Sequence, residues 1–352
     1  MAFPTARSVS PAPPAPARSP NPTTDVAGQA VDRLVAGLVA DQRPDGGWGA
    51  IAGGPATTEA TAFVALALAS TRGVVAARSV EMDAAARRGV TWLVAHQRPD
   101  GSWPATELVA EPSWMTSVAL LALARSGPAD DARARALTGG ATWLLGERVF
   151  EYPWQVRLGL AWLRLRGQAP VSNSDADDAL TGWPWVEGTY SWVEPTSLAL
   201  LALRAGAGVV PTIARGRRYT DRVRIAERML VDRMTPGGGW NYGNTRVFGQ
   251  DLEPYPDTTA WALLALRGAG ADADVRRVVR AGVDRLPALL DGNHSSLARS
   301  LAALAVRAHG GSDDAWRASV ASRVATVGPP PDARSRALAL LALAGPSLPF
   351  GG

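Results

Sequence analysis

The sequence of 352 residues has no cysteine, only three histidines and, among its 36 basic residues, no lysine. Without cysteine there is no disulfide framework, no thiolate nucleophile and no thiolate metal site. His96, His294 and His309 are far apart in the chain, which does not suit a histidine-based zinc centre, and no metal or other cofactor is expected. The isoelectric point near 10 reflects the very high pKa of arginine. Those arginines are scattered among 32 acidic residues rather than gathered in a patch, so nucleic acid is not an expected partner. Arginine, glycine or proline interrupts every apolar stretch before the roughly 20 residues of a membrane span. Phenylalanine and tyrosine are also scarce, at 5 each beside 13 tryptophans.

Residues 1–25 are rich in proline and alanine and supply too little apolar surface to fold, which predicts a disordered tail. Prolines also break every run that would serve as a secretory signal, and a cytoplasmic location is the default expectation. From residue 26 to about 346 the chain reads as one domain of repeats. Gln42-Arg-Pro-Asp-Gly46-Gly-Trp48 and Gln97-Arg-Pro-Asp-Gly101-Ser-Trp103 are two copies of one turn, and Pro236-Gly-Gly-Gly239-Trp240 is a third. Each follows a segment with apolar residues at helical spacing and precedes a second, more apolar one. Pro-Asp-Gly is turn chemistry, so each unit reads as helix, tight turn, helix.

The second helices align with one another from Thr58, Pro112, Glu194, Pro256, Ser295 and Ala333, with a weaker member from Tyr152. They are alanine- and leucine-rich and apolar nearly all round, as expected for helices packed on every side. The first helices carry charge on one face and belong outside. This alternation predicts an all-α protein, an α/α toroid of about six or seven inner helices ringed by about six outer ones.

The pattern Arg88-Gly89-x-x-Trp92-Leu93-x-x-x-Gln97-x-x-x-Gly101-x-Trp103 resembles the glutamine-tryptophan repeat of the squalene-hopene cyclase and prenyltransferase superfamily, whose fold is the α/α toroid. The likeness is good at residues 42–48 and degraded at 234–240, where methionine takes the glutamine position. It implies a structural clamp role for Gln42, Trp48, Gln97, Trp103 and Trp240. Squalene cyclases join two helical barrels in a chain about twice as long, so a single barrel is implied here. Prenyltransferase β subunits and complement-like thioester domains need cysteine, which removes both. The resemblance implies a single-domain relative of class II terpenoid cyclases, an isomerase type that handles an isoprenoid without cofactor. The rival is a non-catalytic toroid that binds a lipid, peptide or protein partner.

Proton-initiated cyclisation needs a neutral carboxylic acid in an apolar cavity. Asp175-Ala-Asp177-Asp178 spells the family's Asp-x-Asp-Asp signature, which would make Asp177 the donor; an aspartate-rich solvated loop reads the same way. Aligning the inner helices sets Glu59, Glu194 and Asp257 in one column, with Trp114 in the second unit and Thr61, Thr116, Thr196 and Thr259 two residues on. A ring of helices would bring these columns to one mouth as candidate acids and ligand contacts. Helix capping, with a capping box at residues 191–194, explains the acids equally well. Trp183, Trp185, Tyr190 and Trp192, with Trp114, Trp154 and Trp261, are candidates to line the cavity, where π faces stabilise a carbocation or pack a polyprenyl chain.

Overall fold

The computed structural model describes residues 22–109, 111–147, 158–159, 162–163, 165–167, 176–177, 179–269, 272–345 and 349–350. Two kinds of helix alternate along these residues. The odd-numbered ones are α1 (Pro22–Ala40), α3 (Ser79–Ala95), α5 (Asp131–Gly146), α7 (Arg217–Asp232), α9 (Ala273–Leu290) and α11 (Asp314–Thr326). They are amphipathic: α7 buries Ala226, Met229 and Leu230 and turns Arg217, Arg218, Arg224 and Arg228 to solvent. One apolar stripe can be covered from one side only, so these helices lie outside.

The even-numbered helices are α2 (Thr58–Thr71), α4 (Met115–Arg125), α6 (Val193–Val209), α8 (Pro256–Leu266), α10 (Ser296–Ala308) and α12 (Ala333–Leu343). In α2, α8 and α12 nearly every side chain is buried. Alanine and leucine around the whole circumference let each inner helix pack on both neighbours and on the outer layer. The ring order is α2, α4, α6, α8, α10, α12 and back to α2. Helices α2 and α8 therefore face each other across the bore, as do α6 and α12. The ring of described helices closes with α4 directly against α6; most of the weaker repeat expected from Tyr152 lies outside the described residues. The helix α1 begins at Pro22, four residues ahead of the expected domain start.

The seam joins first to last. Ala333 donates its N–H to the Ala50 carbonyl at 2.8 Å, Arg336 pairs with Asp41 at 2.6 Å, and Arg33 donates to the Ala325 carbonyl at 2.9 Å. A two-stranded ribbon, β1 (Arg246–Val247) with β2 (Gln250–Asp251), is the one departure from helix among the named elements. Phe63 of α2 and Trp261 of α8 meet inside the bore with ring centroids 6.1 Å apart. Phe350 stands edge-on to Trp261 at 5.5 Å, and all three are buried. Among the described residues no helix is long and apolar enough to cross a membrane.

Candidate functional site

Among the described residues, four tryptophan clamps each join an outer helix to the next inner one. The backbone N–H groups of Trp48, Trp103, Trp183 and Trp240 donate to the hydroxyls of Thr61, Thr116, Thr196 and Thr259 at 2.8 to 3.0 Å. Their indole N–H groups donate to the carbonyls of Leu38, Leu93, Leu144 and Leu230 at 2.6 to 2.9 Å. Those carbonyls lie near the C-terminal ends of the preceding outer helices, where acceptors lack intrahelical donors. Gln42 donates to the carbonyls of Gly46 and Ala85, and Gln97 to those of Gly101 and Ala136, all at 2.9 Å. Where Met234 replaces the glutamine, the Thr235 hydroxyl donates to the Gly238 carbonyl at 3.0 Å.

This geometry reassigns three residues of the expected cavity set. Trp183 is a fourth clamp, with Arg222 4.4 Å over its ring, and Thr196 and Thr259 spend their hydroxyls on clamp backbone and are fully buried. The spacing carried the signal, since Trp183 precedes Thr196 by the same 13 residues that separate Trp48 from Thr61.

Two residues beyond each clamp tryptophan, the carbonyls of Ala50, Ala105, Trp185 and Tyr242 accept the N–H of Ala333, Thr58, Trp114 and Val193. The clamp loops thus cap neighbouring inner helices, and the six inner helices named among the described residues begin at one mouth. There Arg334, from the first turn of α12, pairs with Glu59 of adjacent α2 at 3.0 Å and with Glu194 of α6, the helix opposite. Its guanidinium lies 5.3 Å from the ring centroid of Phe63, 5.9 Å from Trp261 and 6.0 Å from Trp114. Asp257 of α8 is close enough to act electrostatically on both Glu194 and Tyr242.

Glu194 is 6% exposed. Burial raises its pKa above the ordinary glutamate range, against the opposing pull of Arg334, and Asp257 and Glu59 push it the same way as burial. Two carboxylates thus share a single guanidinium, with Asp257 as a third acid near Glu194. The capping box expected at residues 191–194 does not form. Trp192 is the N-cap of α6 and makes no side-chain cap, and the Ser191 hydroxyl accepts from the Gly182 N–H at 2.8 Å instead.

Around this centre Trp114 and Trp185 meet edge to face at 5.0 Å. Trp192 is half-buried and Tyr190 is exposed on the adjoining loop. Tyr242 and Tyr255, whose rings are 5.2 Å apart, extend the aromatic rim. Asp177 is exposed beside the end of α7: its N–H donates to Asp232 at 3.1 Å, and its carboxylate accepts the Ala179 N–H at 3.0 Å, closing a local turn. Asp175, Asp178 and Trp154 lie outside the described residues. Sequence reasoning missed Arg334, although it occupies the same aligned column as Glu59, Glu194 and Asp257. It also missed Glu147, a buried carboxylate at the end of α5 with no hydrogen-bond partner among the described residues, whose pKa burial pushes up to about 8.

Residues 21–111 match the family model of the squalene-hopene cyclase C-terminal domain. With the toroid, this makes the fold squalene-hopene cyclase-like. It is similar to the solved structure of a variant of the type II terpene cyclase MstE from Scytonema in complex with its product, merosterolic acid A. The two share 16% identity over 92% of this chain and 97% of that one, with a TM-score of 0.53. It is also similar to a novel alpha-amylase from Clostridium perfringens, at 11% identity over 90% of this chain and 98% of that one, with a TM-score of 0.54. No curated protein sequence matches the chain. One fold thus hosts two chemistries, and function has to be argued from the site.

Proposed function

We propose that the chain handles an isoprenoid at the mouth of the toroid, with Glu194 as the acid of a proton-initiated cyclisation. The observation that carries this reading is a nearly buried carboxyl of raised pKa, crowded by two further carboxylates and set among aromatic rings. Alkene protonation requires the neutral acid, which burial and like charge both favour. In the first step the carboxyl proton and the alkene π electrons form a C–H bond and leave a cation on the neighbouring carbon. Attack by the next double bond closes a ring, and loss of a proton from carbon completes an isomerisation. Trp114, Trp261 and Phe63 offer π faces to the cation, and Trp185, Trp192 and Tyr190 lie along the approach. Asp257 is the second acid group, and Asp177 has a turn role in this reading.

The filled bore favours a second reading, in which the toroid binds a lipid, peptide or protein at its mouth without turnover. Incubation with squalene and with shorter polyprenols, without added metal, followed by mass spectrometry, separates the two. Cyclised product that disappears in Glu194→Gln supports the first reading, and no product from any substrate sinks it.

A further inference from the structure

We propose that Arg334 is a positioning residue, a bar across the bore whose displacement by an incoming apolar chain leaves Glu194 to take up a proton. This deepens the proposed function and rests on it. Arg334 spans the mouth from α12 to Glu194 on the opposite helix, directly over Phe63 and Trp261, which cross the bore beneath it. A chain moving down the axis meets this ion pair before it meets any of the aromatic floor.

The two ends of the bar differ. The Glu59 side chain is 25% exposed and that of Glu194 only 7%. Arg334 can therefore swing toward Glu59 and keep a solvated partner, while Glu194 is left in the buried position. An ionised carboxylate in such a place, stripped of its cation, is strongly disfavoured.

Among the described residues the surroundings offer Glu194 no substitute partner. The charged groups acting on it besides Arg334 are Glu59 from α2 and Asp257 from α8, both of like charge. Tyr242, on the loop before α8, is neutral in the ordinary pH range, with its pKa raised by its surroundings. At the equivalent first-turn positions α4 and α10 present Trp114 and Leu297, neither of them charged. With the bar displaced, one proton passes from bulk water to the Glu194 carboxylate. The acid is thus charged with its proton as the site fills.

Squalane, which is saturated and cannot react, is the probe. Calorimetric titration in two buffers of different ionisation enthalpy reads the protons taken up on binding, and infrared difference spectra read the carbonyl band of a newly protonated carboxyl. The wild-type chain should take up close to one proton per squalane between pH 6 and 8, with the new band absent in Glu194→Gln. Arg334→Met, which has no bar, should bind with no uptake and more tightly, by on the order of tenfold. Arg334→Gln, a milder change, serves the same comparison if the methionine variant does not fold. Squalane binding to wild type with neither proton uptake nor a new carbonyl band overturns the bar and leaves the isoprenoid reading standing. No squalane binding to the wild type or to either Arg334 variant overturns both.

Discussion

Trp240 lies so close against Gly282 that a methyl group on that glycine would meet the indole ring at 2.6 Å and Leu263 at 3.1 Å. Replacing a helical glycine by alanine ordinarily stabilises by roughly 0.5–1 kcal/mol. At Gly282, in α9, overpacking reverses the sign, and Gly282→Ala should lose roughly 1–3 kcal/mol. Gly28 in α1 has nothing within 4 Å, and Gly28→Ala should show the ordinary gain. Urea denaturation of the two variants checks the opposed signs.

The threonine column is scaffold. Thr196→Val keeps the shape of the side chain but removes the acceptor for the Trp183 N–H, which is held at 2.8 Å in a buried site. An unsatisfied buried donor costs about 1–3 kcal/mol. The variant should lose that much stability and still bind squalane as wild type does. A loss of affinity with unchanged stability would return Thr196 to the ligand site.

Glu147 sets a pH dependence. Its pKa in the folded chain, about 8, lies above the ordinary value of 4.5, so the folded protein holds this proton more tightly than the unfolded one. The stability linked to it is complete below about 4.5 and is lost as pH rises toward about 8. Arg222 opposes the shift and Glu187 adds to it, but burial dominates. Melting temperature should fall between pH 5 and pH 8 in wild type, and the slope should flatten in Glu147→Gln. A wild-type profile that rises across this window would contradict the assignment.

The seam should be sensitive to single changes. Arg336 is 7% exposed and pairs with Asp41 at 2.6 Å. Asp41→Ala leaves a buried guanidinium without its carboxylate, at a cost of about 3 kcal/mol. Protease digestion of that variant should begin at α1 or α12 while the rest of the ring persists.

Much of the architecture is written locally. Turn chemistry at Pro-Asp-Gly, apolar periodicity and the repeated Gln and Trp positions define the helical hairpins, and the all-round apolar helices identify the inner layer. Trp183 was harder to place because its unit has neither the Gln nor the Pro-Asp-Gly that mark the first two clamps, and its distance to Thr196 was the remaining clue. The bar is illegible in the sequence for a different reason. An arginine in a first helical turn looks unremarkable by itself, and its partner on α6 is set by which helices stand opposite in a ring of six. Ring order arises only on closure. Glu147 is similar, since nothing in the local sequence says that the end of α5 is covered.

A ring whose first and last helices touch has no privileged starting point. With α1 and the loop after it already held to α11 and α12 through Arg33, Asp41 and Ala50, a short linker across the seam and a new opening at an exposed loop would preserve every clamp. The turn at residues 127–130, between α4 and α5 on the face away from the mouth, is a suitable place to cut. Circular permutants opened there should fold to the same toroid, which makes the order of the repeats along the chain a matter of history rather than of mechanics.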